Sequence, residues 1–438
     1  MLQTLANAFK VPELRKKMLY TTLILFLFRV GAAIPVPFTF IDYSVGILGN
    51  SLEGNFMNYL SMMTGDAFNY GTLFAMSITP YINSSIIFQL LTVAIPPLER
   101  LAKEGEEGRK KIAFYTRIGA AVIAMLQSTA YYFYLGNQGY LSSPDIAYEG
   151  ASKVFQALVI IFVLTAGSCL LMWMGESINE KGIGNGISMI LFAGIVSRIP
   201  ATITQIFAHF PYGGLYYLFV PLALIIMVAL VIFIVWMDNS ERRLPVAYAK
   251  RVVGRKMYGG QNTNMPIKVN MSGVMPIIFA SSILSLPPTL QMFIKVKEGG
   301  FWDKFFGLFN ATNWFYGIVY FLLIIFFAYF YATIQYNPVE MANNLRKNSG
   351  SIPGIRPGKP TSDYIAKVLS RITLLGALLI SVVAILPIVF TQITHLCGRP
   401  MNISLGGTSV IILVGVALET VRQLESQMMM RHYKGFLD

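Results

Sequence analysis

Long runs of apolar residues dominate the 438-residue chain, and short polar segments separate them. A helix that spans the hydrocarbon of a membrane needs about 20 consecutive apolar residues, so each run is a candidate span. The pattern predicts ten spans, at residues 18–37, 72–95, 112–135, 154–174, 187–207, 215–237, 272–292, 314–334, 366–390 and 403–421. We therefore expect an all-α, multi-pass membrane protein. An even number of spans puts both chain termini on the same side of the membrane.

The basic residues crowd into alternate loops. No Lys or Arg lies between Arg29 and Arg100, whereas the stretch from Arg100 to Arg117 is crowded with them. In membrane proteins the loops with an excess of Lys and Arg face the cytoplasm. This asymmetry predicts that the basic loops and both termini are cytoplasmic.

Composition supports a membrane protein and argues against several classes of function. Hydrophobic residues make up 55% of the chain and charged residues 13%, whereas a soluble domain carries about 25% charged residues. The net charge of +13 then follows mostly from orientation in the membrane. The 2 Cys and 3 His have no disulfide or metal-ligand spacing, and no catalytic motif is present. We expect no enzyme activity, no catalytic residue, no metal and no cofactor.

Ionisable residues are scarce in the spans. Arg29, Glu176, Arg198 and Glu419 lie in or near them, and we expect these residues to snorkel or to cap helix ends. A secondary transporter of a small solute usually needs a coupling carboxylate at membrane depth. A membrane-embedded protease or insertase needs a nucleophile with its base, or a polar groove. Both classes remain alternatives to a channel whose passage carries no fixed charge.

Hydroxyl and amide groups supply the polarity of the second and seventh spans. These groups are Ser77, Thr79, Asn83, Ser84, Ser85 and Gln89 in the second span, and Ser281, Ser282 and Ser285 in the seventh. Such groups either join neighbouring helices or line a passage. Segment 38–71, which is rich in Gly, Asn and Ser, is either an ordinary exterior loop or a re-entrant segment buried in protein.

Two large cytoplasmic loops are expected at 238–270 and 335–364. In the first, alternating apolar residues followed by Gly259-Gly260 predict a short hairpin that projects from the membrane. Its basic residues suit a phosphate backbone such as ribosomal RNA, an acidic protein surface or anionic lipid, or they serve only to orient the chain in the membrane. In the second loop, turns built from Pro and Gly are expected to hold Arg356 in one place.

Six sequence motifs together resemble the SecY family of protein-conducting channel subunits. They are TPYINSSIIFQLL at 79–91, KGIGNGIS at 181–188, RRLPVAYAKR at 242–251, GGQNTNMPIKVN at 259–270, PIIFASS at 276–282 and IPGIRPGK at 352–359. They occur in the family's order, and the resemblance extends over essentially the whole chain.

The resemblance implies two five-helix halves, residues 1–207 and 208–438, around a central hourglass pore. A ring of aliphatic side chains would form the waist, and a plug at about 44–70 would seal the exterior funnel. By motif position the ring consists of Ile82, Ile86, Leu191, Ile195, Ile278 and Ile412. A lateral gate between the second and seventh spans would contain Asn83, Ser84, Gln89, Ser281 and Ser282.

The resemblance also implies a function and partners. The family moves unfolded preproteins of the general secretory pathway across the bacterial cytoplasmic membrane and releases apolar helices sideways into lipid. The channel is passive, and the SecA ATPase or the translating ribosome would supply the energy. Further expected partners are the subunits SecE and SecG, preprotein signal sequences and membrane lipids. SecA or ribosomal RNA would contact Arg242, Arg243, Lys250, Arg251, Arg255 and Arg356.

Overall fold

The computed structural model describes residues 8–41, 46–47, 61, 64–141, 150–248, 251–253, 256–258, 262–271, 273–291, 300–309, 313–396 and 407–434. In chain order the α-helices are α1 (Pro12–Gly31), α2 (Thr79–Ala94), α3 (Pro96–Lys103), α4 (Glu106–Asn137), α5 (Ala151–Lys181), α6 (Gly186–Phe207), α7 (Tyr216–Asn239), α8 (Met275–Leu284), α9 (Leu286–Gln291), α10 (Phe301–Leu308), α11 (Trp314–Gln335), α12 (Pro338–Lys347), α13 (Lys359–Leu396) and α14 (Gly407–Lys434). Each of the ten predicted segments contains a helix. The predicted helical membrane fold is confirmed.

Among the described residues, seven helices are long and apolar enough to cross a membrane. They are α4, α5, α6, α7, α11 together with α12, α13 and α14. The pair α2 and α3 would make an eighth span, although it bends by 101° at Ile95, directly before two prolines that cannot continue the hydrogen-bond ladder of a helix. The seventh predicted span is divided at Ser285 into α8 and α9, just ahead of Pro287. The count of ten spanning helices stays a prediction.

Helices α4 and α5 extend beyond the hydrocarbon. They contain 32 and 31 residues, which at about 1.5 Å per residue is well over the roughly 30 Å of the membrane core. Their polar ends therefore project into water or headgroups, which explains why they exceed the apolar segments 112–135 and 154–174. An ion pair between Arg117 Nε and Glu176 Oε1, 2.7 Å apart, joins the two helices.

One large hydrophobic core contains residues from both predicted halves. Buried side chains from α1, α5 and α6 meet others from α7, α8, α11, α13 and α14. A second cluster packs residues between Val36 and Met76 against α4 and α5. The predicted division of the chain at 207/208 stays a prediction.

A small sheet forms outside the spans and joins the two large loops. Strand β1 (Glu241–Tyr248) pairs antiparallel with β4 (Asn262–Lys268), and β2 (Arg251–Val253) pairs with β3 (Lys256–Tyr258). The predicted hairpin in loop 238–270 is therefore confirmed. Strand β5 (Gly350–Ser351) of the second loop adds to the free edge of β1, a pairing that the sequence did not predict.

Alternation of side chains along β1 gives this sheet its own core. Leu244 and Val246 are buried, whereas the alternate residues Arg243 and Pro245 are exposed, as the two-residue period of a strand requires. The buried residues pack with Ile352 of the second loop and with residues of α12 and α13. The two loops thus form one folded unit at the membrane surface.

The described part of segment 38–71 is packed against protein. Its two ends are hydrogen-bonded together, because Val36 N donates to Gly71 O at 3.1 Å and Leu73 N donates to Ile34 O at 2.9 Å. Tyr131 of α4 donates its hydroxyl to Phe68 O at 2.7 Å. These contacts favour the buried reading of the segment over an ordinary exterior loop.

Candidate functional site

The six residues assigned to the ring all take part in the main hydrophobic core. Ile86, Leu191, Ile195, Ile278 and Ile412 are buried members of the main hydrophobic core, and Ile82 packs against the same core half-buried. They come from four helices, α2, α6, α8 and α14. Positions four residues apart share one face of a helix, so α2 and α6 each present two aliphatic side chains to the cluster. All six side chains are branched and apolar.

Ser84 lies on another side of α2. Its hydroxyl donates to Thr116 O of α4 at 2.7 Å, and α4 comes close enough there that a Cβ on Gly119 would lie 2.6 Å from Ser84 Oγ. Two residues along a helix correspond to a rotation of about 200°, so Ser84 faces away from the side that carries Ile82 and Ile86. The hydrogen bond joins the second span to the third, and this corrects the expectation that Ser84 faces the seventh span.

The other residues assigned to the lateral gate lie on helices that do meet. Helices α2 and α8 are in contact. Asn83 and Gln89 are half-buried, Ser281 is buried, and its hydroxyl donates to Ile278 O at 2.9 Å. The Oδ1 atom of Asn83 is fully buried and has no hydrogen-bond partner among the described residues.

An arginine from α6 holds the end of segment 38–71. Arg198 is only 9% exposed, and its Nη1 lies 3.1 Å from Asp66 Oδ1 and 3.0 Å from Ser61 Oγ. Ser61 in turn donates to Asp66 Oδ1 at 2.8 Å. The expectation that Arg198 snorkels or caps a helix end is therefore wrong, because a buried guanidinium here is neutralised by a carboxylate.

A second arginine completes this contact, which we call the arginine clamp (Arg29, Arg198, Ser61, Gly65 and Asp66). Arg29 Nη1 of α1 donates to Gly65 O at 2.9 Å. Gly65 has a φ of +64°, and a Cβ there would lie 2.9 Å from both Arg29 Nη1 and a serine of α6. Only glycine fits this close approach without strain.

On α6, the arginine of the clamp shares one helix face with two of the residues assigned to the ring. Leu191, Ile195 and Arg198 are separated by four and then three residues, the spacing of a single helix face. Arg198, which holds the end of segment 38–71, therefore lies about one helical turn from Ile195. The sequence offered a signal for this contact, since Asp66 is a rare acidic residue in an apolar region, but it did not identify the partner.

The basic residues assigned to partner binding are exposed wherever the structure describes them. Arg242, Arg243 and Arg356 are exposed, and Arg243 Nε lies 2.9 Å from Glu241 Oε1. The pairing of β1 with β5 brings the turn that carries Arg356 to the strand that carries Arg242 and Arg243. Lys250, Arg255 and the side chain of Arg251 lie outside the described residues.

Another arginine-carboxylate pair ties the base of the sheet to the last helix. Arg422 of α14 contacts Asp238 at the end of α7, with Nη1 at 3.2 Å from Oδ2 and Nη2 at 3.1 Å from the backbone oxygen. Arg422 Nη2 also donates to Asn239 Oδ1 at 2.8 Å. Asn270, just after β4, donates to Asp238 Oδ1 at 3.4 Å. Because α14 also carries Ile412, this pair connects the loops to a helix that carries one of the residues assigned to the ring.

Comparison with known proteins decides the family. The family model described as SecY matches residues 72–421. Curated proteins named protein translocase subunit SecY match over 100% of both chains, with 43% identity over 446 residues for Mycobacterium bovis and 41% over 452 residues for Streptomyces galbus. The chain belongs to the SecY family.

Solved structures agree with this assignment at the level of the fold. A structure described as "The structure of a protein conducting channel" matches with a TM-score of 0.62 and 17% identity over 96% of both chains. The Sec61 channel in a canine ribosome-channel complex from the endoplasmic reticulum matches with a TM-score of 0.57 and 16% identity over 96% of both chains. The SecY-family chain therefore has the same overall fold as these channels.

Proposed function

We propose that this chain is the protein-conducting channel of the general secretory pathway in a bacterial cytoplasmic membrane, with both termini cytoplasmic. The observation that carries the proposal is that the six aliphatic residues assigned to the ring, which come from four helices, all belong to or pack against one hydrophobic core. Membership of the SecY family, whose curated relatives are named as translocase subunits, supports it. Unfolded preproteins would cross the membrane between these six residues.

An aliphatic constriction suits a cargo whose chemistry varies along its length. A narrow apolar passage excludes ions because water leaves it, and it offers no charged or hydrogen-bonding group to which a passing polypeptide could adhere. A small-solute transporter would instead need a free coupling carboxylate in the bundle. Asp66 is a partly buried carboxylate, but it is already bound by Arg198 and Ser61.

The proposed plug is the segment at about 44–70, whose last residues are held by the arginine clamp. Residues 44–45, 48–60 and 62–63 of this segment lie outside the described residues. The clamp would fix the end of the plug to α1 and α6, directly beside the ring. Movement of α6 during opening would then strain the contacts of Arg198 and release the seal.

The proposed lateral gate lies between α2 and α8. Asn83, Gln89, Ser281 and Ser282 would contribute to it, whereas Ser84 joins α2 to α4. Separation of α2 from α8 would expose a passing apolar segment to lipid, and the segment would leave the channel by its own favourable transfer free energy.

The folded unit of the two loops is the proposed docking surface for the partner that supplies energy. SecA or ribosomal RNA would contact Arg242, Arg243 and Arg356, together with Lys250, Arg251 and Arg255. Exposed guanidinium groups bind carboxylates and phosphates in pairs of hydrogen bonds, which suits either partner. The similarity to ribosome-bound Sec61 supports the ribosome as one partner. The other proposed partners are SecE, SecG, the signal sequences of preproteins and membrane lipids.

Vesicles that carry this chain with SecE and SecG, supplied with SecA, ATP and an unfolded preprotein, test the function. A channel makes the preprotein resistant to added protease until detergent opens the vesicles. The same vesicles without SecA provide the control. If the preprotein stays sensitive to protease although the complex is intact and binds SecA, the proposed function is wrong.

A further inference from the structure

The short helix α10 carries a strip of large apolar side chains on its outer surface. Phe301 is 76% exposed and Trp302 is 54% exposed, and Phe305 and Leu308 are exposed as well. Phe301, Phe305 and Leu308 are separated by four and three residues, so they share one helix face, and Trp302 borders it. Four neighbouring side chains of this size form a contiguous apolar surface, not isolated exposed residues.

The other sides of α10 show that the strip does not result from a poorly packed helix. Phe306 is buried, and its ring stacks on that of Trp302 with 5.9 Å between centroids. Phe309, at the end of α10, packs against the main hydrophobic core. A Cβ on Gly307 would meet nothing within 4 Å, so the helix presents a small residue to open space on a third side. The helix is thus held by Phe306 and Phe309 while the strip points outward.

Contacts with α11 set the level of α10 relative to the membrane. The rings of Phe309 and Phe315 meet edge to face at 5.9 Å, and Phe315 lies in the first turn of α11. Helix α11 is one of the helices that can span a membrane, and Trp314, Ile318 and Leu322 are exposed on its surface. The strip on α10 is therefore continuous with the lipid-facing surface of α11 at the end of that span.

Helix α10 lies at the end of α11 that is far from the sheet. The segment formed by α8 and α9 runs from β4 to α10, and α11 with α12 runs back from α10 to β5. Because β4 and β5 belong to the same sheet, α10 lies beyond the opposite ends of these spans.

We propose that α10 is an interfacial anchor that lies in the headgroup and upper acyl region of the membrane leaflet opposite the sheet. Tryptophan and other aromatic side chains favour this region, and a short helix with one apolar face lies along the membrane plane there. The chemical partner of the strip is phospholipid. Since α10 contacts α9, the anchor fixes the end of the span that contains α8.

Spin labels attached at single cysteines identify what covers the strip. The background is Cys169→Ala with Cys397→Ala, reconstituted in vesicles of phosphatidylethanolamine and phosphatidylglycerol. Labels are placed by Phe301→Cys, Phe305→Cys and Leu308→Cys, with Gly307→Cys as the matched control. Oxygen concentrates in lipid and a neutral nickel chelate concentrates in water, so the ratio of their collision rates with each label reports its surroundings.

We expect a higher ratio of oxygen to nickel collisions at positions 301, 305 and 308 than at 307. Frequent nickel collisions at all four positions would mean that the strip faces water and would overturn the proposal. Few collisions with either reagent at the three strip positions would mean that protein covers the strip, and this would overturn it as well.

A fluorescence measurement keeps the proposal testable if the labels disturb the helix. In the variant with Trp173→Phe, Trp236→Phe and Trp314→Phe, Trp302 is the single tryptophan. Bromines near the headgroup end of the acyl chains should quench its fluorescence more strongly than bromines near the methyl end. If neither brominated lipid quenches the fluorescence of Trp302, the proposal is wrong.

Discussion

Arg198 Nη1 of α6 lies 3.1 Å from Asp66 Oδ1, and this pair joins a spanning helix to the end of the proposed plug. The two residues are distant in sequence, and both side chains are mostly buried. Removal of one partner from a buried ion pair leaves an uncompensated charge, whereas removal of both often has little effect. This asymmetry makes the role of the clamp measurable.

Arg198→Gln should destabilise the closed arrangement by up to about 3–5 kcal/mol, because it leaves the Asp66 carboxylate buried without its counter-charge. We expect a higher ion leak and faster export of preproteins with weak signal sequences. Conductance of planar bilayers and export of a preprotein with a shortened apolar signal segment measure these effects. The double variant Arg198→Gln with Asp66→Asn should leak less than the single variant. Equal leaks from both would contradict the role of the ion pair.

Ile86→Ser should let water and ions into the constriction, whereas Ile87→Ser should not. Ile86 is a buried member of the main core, and Ile87 is its exposed neighbour on the same helix. A barrier lowered by about 1.4 kcal/mol raises the ion flux roughly tenfold. Single-channel recordings of both variants check this. A similar leak from both would argue against an aliphatic ring at Ile86.

Arg356→Glu should slow SecA-driven export about tenfold or more while the protein accumulates normally. Arg356 is exposed, so its replacement should cost little stability, but loss of a charged hydrogen-bonding group costs about 1.5–3 kcal/mol of partner contact. Lys359→Glu, at an exposed cation three residues along the chain, provides the control for the change of charge. Export at the rate of the unaltered chain by Arg356→Glu would remove this residue from the docking surface.

Arg422→Gln should weaken the connection between the docking loops and the ring without a change in partner affinity. The variant loses the ion pair to Asp238 and the hydrogen bond to Asn239. We expect a lower maximal rate of SecA-driven translocation and an unchanged affinity for SecA. Titration of inverted membrane vesicles with SecA measures both quantities. Arg346→Gln, at an exposed arginine of α12, should leave both quantities unaltered. Loss of SecA affinity in Arg422→Gln would instead indicate direct contact.

The sequence predicted the spans well because lipid imposes one dominant requirement, a long apolar run, and each run contains a helix. It also predicted the hairpin of the first loop, since alternation and a glycine pair mark such turns locally. The break at Ser285 was missed, although Pro287 marks a site where a helix cannot continue.

Long-range contacts could not be predicted in the same way. The pairing of β5 with β1 joins loops about a hundred residues apart, and β5 contains only two residues, too few for a pattern. Arg198 and Ser84 were placed wrongly because an isolated polar residue does not reveal which neighbouring helix it contacts. Family motifs, not local physics, selected the six ring residues, and the structure places all six in or against the main hydrophobic core.

Photo-cross-linking of an arrested secretory chain tests the central claim most directly. A photoreactive residue is placed at successive positions of the chain, in membranes that contain this protein and SecA. The account predicts cross-links to Ile82, Ile278 and Ile412 at a single depth of the arrested chain, since residues of three different helices should surround the same point. If the chain is arrested in intact protein but never cross-links to these residues, the aliphatic cluster is ordinary core packing and the proposed pore is wrong.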